Sequence, residues 1–143
     1  MLIQTVKKQA GFSLLEMMTT VLIVAVLGGA SVPVLGNLYS TYRLRASIEG
    51  LVGEIQLAKF KAINLNSTVT LTINGNDKTY QLEGEGLKFL DTSVSFQGTP
   101  PDSIQFDSRG RLTSGLSTSL VLVGSGGTAT TITINPSGRV SVN

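Results

Sequence analysis

The chain has 143 residues, 11 basic against 9 acidic for a net charge of +2, and contains no cysteine, histidine or tryptophan. Without histidine or cysteine there is no Ser-His-Asp or Cys-His arrangement and no disulfide framework, and most zinc sites are excluded, so no catalytic residue, metal site or cofactor is expected. The near balance of charge argues against a strongly basic nucleic-acid binder, and the length suits one domain plus a segment.

Residues 1–11, MLIQTVKKQAG, form a short leader with Lys7 and Lys8 that ends in Gly11. An apolar run over residues 12–38 follows, and Glu16 is the one carboxylate near its start. A charge in hydrocarbon costs roughly 2.5–3.5 kcal/mol at mid-bilayer, so such a group is expected to be functional and to have a cationic partner. Cleavage after Gly11 would supply one. The α-amino group of Phe12 would begin a helix whose dipole disfavours positive charge at that end, and Glu16 lies one turn further on. It can neutralise that amine within the subunit or on a neighbour. Such a pair adds little net stability but fixes register, because sliding either partner leaves an unpaired charge.

The basic leader, the Gly11-Phe12 junction, Glu16 and the apolar run, in that order, resemble the class III signal of type IV pilins and pseudopilins. The resemblance implies that a membrane-embedded prepilin peptidase cuts after Gly11 and methylates Phe12. It further implies that Glu16 docks the subunit among other pilins or pseudopilins in a filament raised by an inner-membrane assembly platform. Two further readings remain for this region. It also fits an ordinary secretory signal, with Lys7 and Lys8 as its basic part and Gly28 and Ala30 at an A-x-A-like site, or a plain single-span anchor. Against the secretory signal, the apolar stretch contains Glu16 and continues through Val32, Val34, Leu35 and Leu38.

Residues 12–35 number 24, about 36 Å as a helix at about 1.5 Å per residue, enough for a bilayer core of roughly 30 Å with some tilt. Gly28, Gly29, Pro33 and Gly36 interrupt the second half, and Pro33 is the expected kink. The resemblance implies that helix around this proline unwinds on packing into a filament; a simple kink in a membrane helix is the other reading.

Beyond the span the apolar residues Ile48, Leu51, Val52, Ile55, Ala58 and Ala62 recur at steps of three and four, while Arg45, Glu49, Lys59 and Lys61 fall mostly off that stripe. An amphipathic helix over residues 39–66 is therefore expected, continuous with the first and ending near Asn64, Asn66 and Ser67. Together they would make one helix of about fifty residues, about 75 Å long.

From Thr68 the pattern alternates with period two. Strands are expected at 68–74 (TVTLTIN) and 79–83 (TYQLE), joined through the Asn74-Gly75 hairpin signal, and then at 87–90, 94–97, 104–107, 119–123, 130–135 and 139–142. The expected fold class is α+β: a long N-terminal helix, half transmembrane and half amphipathic, packed on an antiparallel β-sheet head formed by residues 67–143. The glycine run 124–127 lacks the lysine of a phosphate-cradling loop and reads as a hairpin tip. Glu83 and Glu85, two apart at a strand end, read as a solvated face.

An internal repeat marks the end of the chain. IQFDSRGRLT from Ile104 and ITINPSGRVS from Ile132 align without a gap. Asp107 and Asn135 are suited to capping the turns, and Gly110 and Gly138 to positive φ. These two hairpins resemble the carboxy-terminal part of the GspH/FimT-type pseudopilin domain. That likeness implies a minor subunit at or near a filament tip or in its initiation, sited in the inner membrane as a single-pass protein with its head in the periplasm. Some members of that group are implied to bind DNA in natural transformation through a Gly-Arg-x-Arg motif. The matching positions here are Gly138, Arg139, Val140 and Ser141, so the second arginine is a serine. Arg109, Arg111 and Arg139 are the candidate nucleic-acid contacts. Three phosphate contacts would give a salt slope of only about −2.7 at about −0.9 per contact. Solvated turn arginines are the simpler reading, since from Thr68 onward five basic residues face six acidic ones.

Overall fold

The computed structural model describes residues 12–143. One helix, α1, spans Leu14–Leu65, and eight strands follow: β1 Val69–Asn74, β2 Thr79–Leu82, β3 Lys88–Phe89, β4 Val94–Phe96, β5 Ser103–Phe106, β6 Thr118–Gly124, β7 Ala129–Ile134 and β8 Val140–Val142. The described residues divide into two compact units, one ending at Gly36 and the other running from Asn37 to Asn143. The helical backbone runs without interruption through Gly28, Gly29, Pro33 and Gly36. Among the described residues no helix is long and apolar enough to cross a membrane, and the span expected over residues 12–38 finds no confirmation there.

The end of α1 has a local cause. Asn66 adopts φ +47°, and its N–H donates to the Ile63 carbonyl while the Ser67 N–H donates to that of Ala62. That pair of backward bonds satisfies carbonyls the helix leaves open and turns the chain out of it, with asparagine in the left-handed position that glycine usually takes.

Strands form where β-branched and apolar residues alternate with polar ones, and they divide between two antiparallel four-stranded sheets. The first has the order β3-β2-β1-β5 and the second β4-β6-β7-β8. Each is a three-strand meander with one further strand added to its outer side, so the chain changes sheet between β3 and β4, β4 and β5, and β5 and β6. The head expected as one sheet is thus two. In β1 the inward residues are Val69, Leu71 and Ile73, and in β6 they are Leu120, Leu122 and Gly124. The apolar side chains among these join the helix stripe in one hydrophobic core that includes Ile48, Leu51, Ile55, Ala58 and Ala62. The stripe extends one turn further back than the sequence suggests, because Leu44 is also buried, packed by the β6–β7 tip at Gly124.

The β1–β2 turn departs from the expectation. Asn74 pairs with Thr79, leaving a four-residue loop rather than a two-residue Asn-Gly turn. The Asn74 side-chain oxygen accepts from the N–H groups of Asn76 and Asp77, and the positive φ falls on Lys78, at +55°. Glycine is needed at position 75 for space instead: a Cβ there would lie 2.8 Å from the Pro100 ring.

Candidate assembly site

Residues 14–27 of α1 are apolar on all sides. Leu14, Leu15, Met17, Met18, Val21, Leu22, Ile23, Val24, Val26 and Leu27 are each more than half exposed. A helix apolar all round is stable only where lipid or other helices cover it. The few polar groups of this stretch turn inward on the helix itself. The Thr19 hydroxyl donates to the Leu15 and Glu16 carbonyls at 3.1 and 2.9 Å, and the Thr20 hydroxyl donates to the Glu16 carbonyl at 2.6 Å.

Glu16 stands in the first turn of α1, where the Ser13 carbonyl accepts from its N–H at 3.0 Å and from that of Met17 at 3.1 Å. A carboxylate in a first helical turn is favoured by the helix dipole. Among the described residues its carboxyl oxygens have no hydrogen-bond or ion-pair partner, whereas the threonines beside it are satisfied. Phe12 is exposed and precedes the helix start by two residues. Gly11 lies outside the described residues.

At the other end of the chain the two repeated hairpins are brought together. In each, the Asx residue donates its N–H to the arginine carbonyl four residues on, Asp107 to Arg111 at 2.8 Å and Asn135 to Arg139 at 2.9 Å. In each, the glycine donates back to the Asx carbonyl at 2.8 Å, with φ +72° at Gly110 and +73° at Gly138. The turns touch: the Leu112 N–H donates to the Pro136 carbonyl, and Gly138 sits so close to the Gly110 carbonyl that a Cβ would come within 2.0 Å of its oxygen. Lys59 of α1 closes the arrangement by donating from Nζ to the Gly138 carbonyl at 3.0 Å.

Arg109, Arg111 and Arg139 therefore stand on adjoining turns, all exposed. Asp107 lies among them. The Arg111 N–H first, then that of Arg109, holds its carboxyl below the usual carboxylate range, and their guanidinium charges add to the effect. An ionised aspartate offsets part of the basic character of the three arginines.

One polar contact was not anticipated. Glu54 lies on the core face of α1 and is only 5% exposed. One of its oxygens accepts from Lys88 of β3, and the other, Oε2, is buried without a partner. The bond from Glu54 pushes the Lys88 ammonium up, and burial pushes the nearby Tyr80 phenol up. Its sequence signal is an acid three residues after Leu51 and four before Ala58, both in the apolar stripe. Among the described residues no group of acidic side chains could hold a metal ion.

Residues 6–32 match the prokaryotic N-terminal methylation motif. The fold is similar to that of the type IV minor pilin FimU from Pseudomonas aeruginosa strain PAO1, with a TM-score of 0.63 at 13% identity over 74% of this chain and 92% of that one. The fold is type IV pilin-like. The minor pseudopilin EpsH from the type 2 secretion system of Vibrio cholerae has a similar fold, with a TM-score of 0.58 at 12% identity over 71% of this pilin-like chain and 96% of that one. No curated protein matches the pilin-like chain in sequence.

Proposed function

We propose that this pilin-like chain is a minor, non-catalytic subunit of a type IV filament, either a type II secretion pseudopilus or a type IV pilus. A prepilin peptidase cuts after Gly11 and methylates Phe12. Residues 12–38 hold the subunit in the inner membrane as a single span, with residues 67–143 in the periplasm, until an assembly platform extracts it among other pilins. Pro33 gives the helix a place to bend or unwind on packing.

The observation that carries this reading is the uncovered apolar start of α1 with its exposed carboxylate, Glu16, which has no partner among the described residues and lies within the methylation motif. Lipid covers the apolar surface before assembly, and neighbouring helices cover it afterwards. The terminal amine, on the same or an adjacent subunit, then meets Glu16. Replacing Glu16 by alanine removes the partner without adding bulk or charge. Glu16→Ala is expected to insert into membranes normally and to be missing from sheared or purified filaments; normal incorporation would refute the role given to Glu16.

A second reading rests on the contact between the two carboxy-terminal turns, which gathers Arg109, Arg111 and Arg139 on one exposed surface. It makes the subunit a minor pilin that binds DNA in natural transformation. Gel-shift titration of the detergent-solubilised chain at low salt tests it. Binding lost in the triple alanine variant supports this reading, and no shift in the unaltered chain excludes it.

A further inference from the structure

Between β2 and β4 the chain runs as a strap over residues 83–93. Seven consecutive residues, 83–89, are exposed, Leu87 and Phe89 among them, and Leu90 is the buried apolar side chain of the segment. Apolar burial therefore contributes little to holding the strap in place. Its backbone is held by scattered bonds rather than a long ladder: β3 pairs with β2 over two residues, the Glu83 and Leu90 N–H groups donate to the Thr70 and Lys78 carbonyls at 3.0 and 2.8 Å, the Asp91 N–H donates to Ser47 Oγ at 3.4 Å, and the Gln81 and Lys78 side chains donate to the Glu85 and Thr92 carbonyls at 3.1 and 3.0 Å.

Charge does more. Among the described residues all three ion pairs join this strap to α1: Asp91 with Arg43 at 3.2 Å, Lys88 with Glu54, and Glu85 with Lys61. The order is reversed along the two segments. Positions 43, 54 and 61 of the helix carry plus, minus and plus, while 91, 88 and 85 of the strap carry minus, plus and minus. A slip by one contact in either direction would set like charges against each other, so the alternation specifies a single register. The middle contact is the anchor, because parting it strands the buried Glu54 carboxylate, whereas the outer two are partly exposed and open to screening. Arg43 is further steadied over the Tyr39 ring, 4.5 Å from its centroid.

We propose that residues 83–93 form a charge-latched strap that opens from α1 as a local unit while both sheets stay folded, uncovering the outer edge of β2 and the Glu54 carboxylate. This latch does not depend on the filament reading. Native proteins open in such units where burial is low and backbone bonds are exposed.

Hydrogen exchange of the full chain in detergent micelles tests the latch, with peptides from β1, β6 and β7 as internal references. Raising NaCl from 0.1 M to 1 M shortens the screening length from about 10 Å to about 3 Å, and strap amides should then exchange on the order of fivefold faster with the references unchanged. Lys61→Glu should speed strap exchange at low salt, and Lys61→Glu with Glu85→Lys should restore protection; Glu85 is exposed and Lys61 half-buried outside the hydrophobic core, and the reference peptides report whether either variant disturbs the fold. Strap exchange indifferent to salt and to Lys61→Glu would overturn the charge latch. A rise shared equally by β1, β6 and β7 would overturn the local unit, and failure of the double swap to restore protection would overturn the register.

Discussion

Gly138→Ala is expected to be among the most damaging single-atom additions to residues 37–143. The new Cβ would lie 2.0 Å from the Gly110 carbonyl oxygen, against 3.4 Å for ordinary contact, so the two turns must part by about 1.4 Å. The φ of +73° adds about 1–2 kcal/mol for a residue with a side chain. Forcing packed backbone apart costs about 1–3 kcal/mol more, and weakening the Lys59–Gly138 and Leu112–Pro136 bonds about 0.5–1.5 kcal/mol each. The total, about 3–8 kcal/mol, is a large part of the roughly 5–15 kcal/mol that holds a domain together. Two controls separate the contributions. Gly127 has φ +77° but open space around it, so Gly127→Ala should cost only about 1–2 kcal/mol. Gly110→Ala meets the flexible ends of Ile63 and Lys59 at 2.7 and 3.0 Å and should fall between the two. Urea unfolding of the full chain in micelles, followed by near-ultraviolet circular dichroism of buried Tyr80, reads the series. With a slope of about 1.5 kcal/mol per molar, 3 kcal/mol lowers the midpoint by about 2 M. A Gly138→Ala midpoint no lower than that of Gly127→Ala would refute the close approach of the turns.

Three further outcomes follow from the same contacts. Glu85, Asp91 and Asp107 all have folded-state pKa values held below their ordinary values of 4.5, 3.8 and 3.8, by Lys61, by Ser93 and by the Arg111 N–H respectively. A depressed carboxylate contributes stability that is present above its ordinary value and lost as pH falls through the folded one, so urea midpoints should be level near neutrality and decline below about pH 4.5. Asp107→Asn should retain the turn, since Asn135 holds the equivalent place in its sister, while making that acid decline shallower; a lost turn would show as a lower midpoint at pH 7. Glu54→Leu removes a buried carboxylate from an apolar stripe and returns Lys88 to water, so the global midpoint should hold or rise by up to about 1 kcal/mol. A fall of more than about 2 kcal/mol in the same titration would contradict that view of Glu54.

Much of the fold was legible because it is written locally. The stripe from Ile48 to Ala62 has the helical period, the eight strands follow their alternating residues to within a position or two at each end, and the paired motifs around Gly110 and Gly138 form the matched turns their residues imply. Which strands become neighbours was not legible. The pairing of Val94 with Gly124 joins residues thirty apart, and alternation fixes which face of a strand is buried without naming its partner, so a single sheet and a pair of sheets look alike in sequence. The Asn74-Gly75 signal misled for a related reason: Pro100, distant in sequence, demands the small residue at position 75, and the turn takes its positive φ at Lys78 instead. Glu54 was overlooked because its partner, Lys88, lies 34 residues further on, and a strand's alternation does not say which of its side chains reaches the helix. At the amino terminus the reverse holds. Glu16 stood out because nothing near it in the sequence can neutralise it, and no described residue of the folded chain does so either.

The most direct measurement is the mass and sequence of the amino terminus of the protein purified from its host envelope. If Glu16 is placed to receive a newly made chain end, the mature protein begins with an N-methylated Phe12. A protein that begins at Met1, or after a cut near Ala30, would contradict that placement and the filament role built on it.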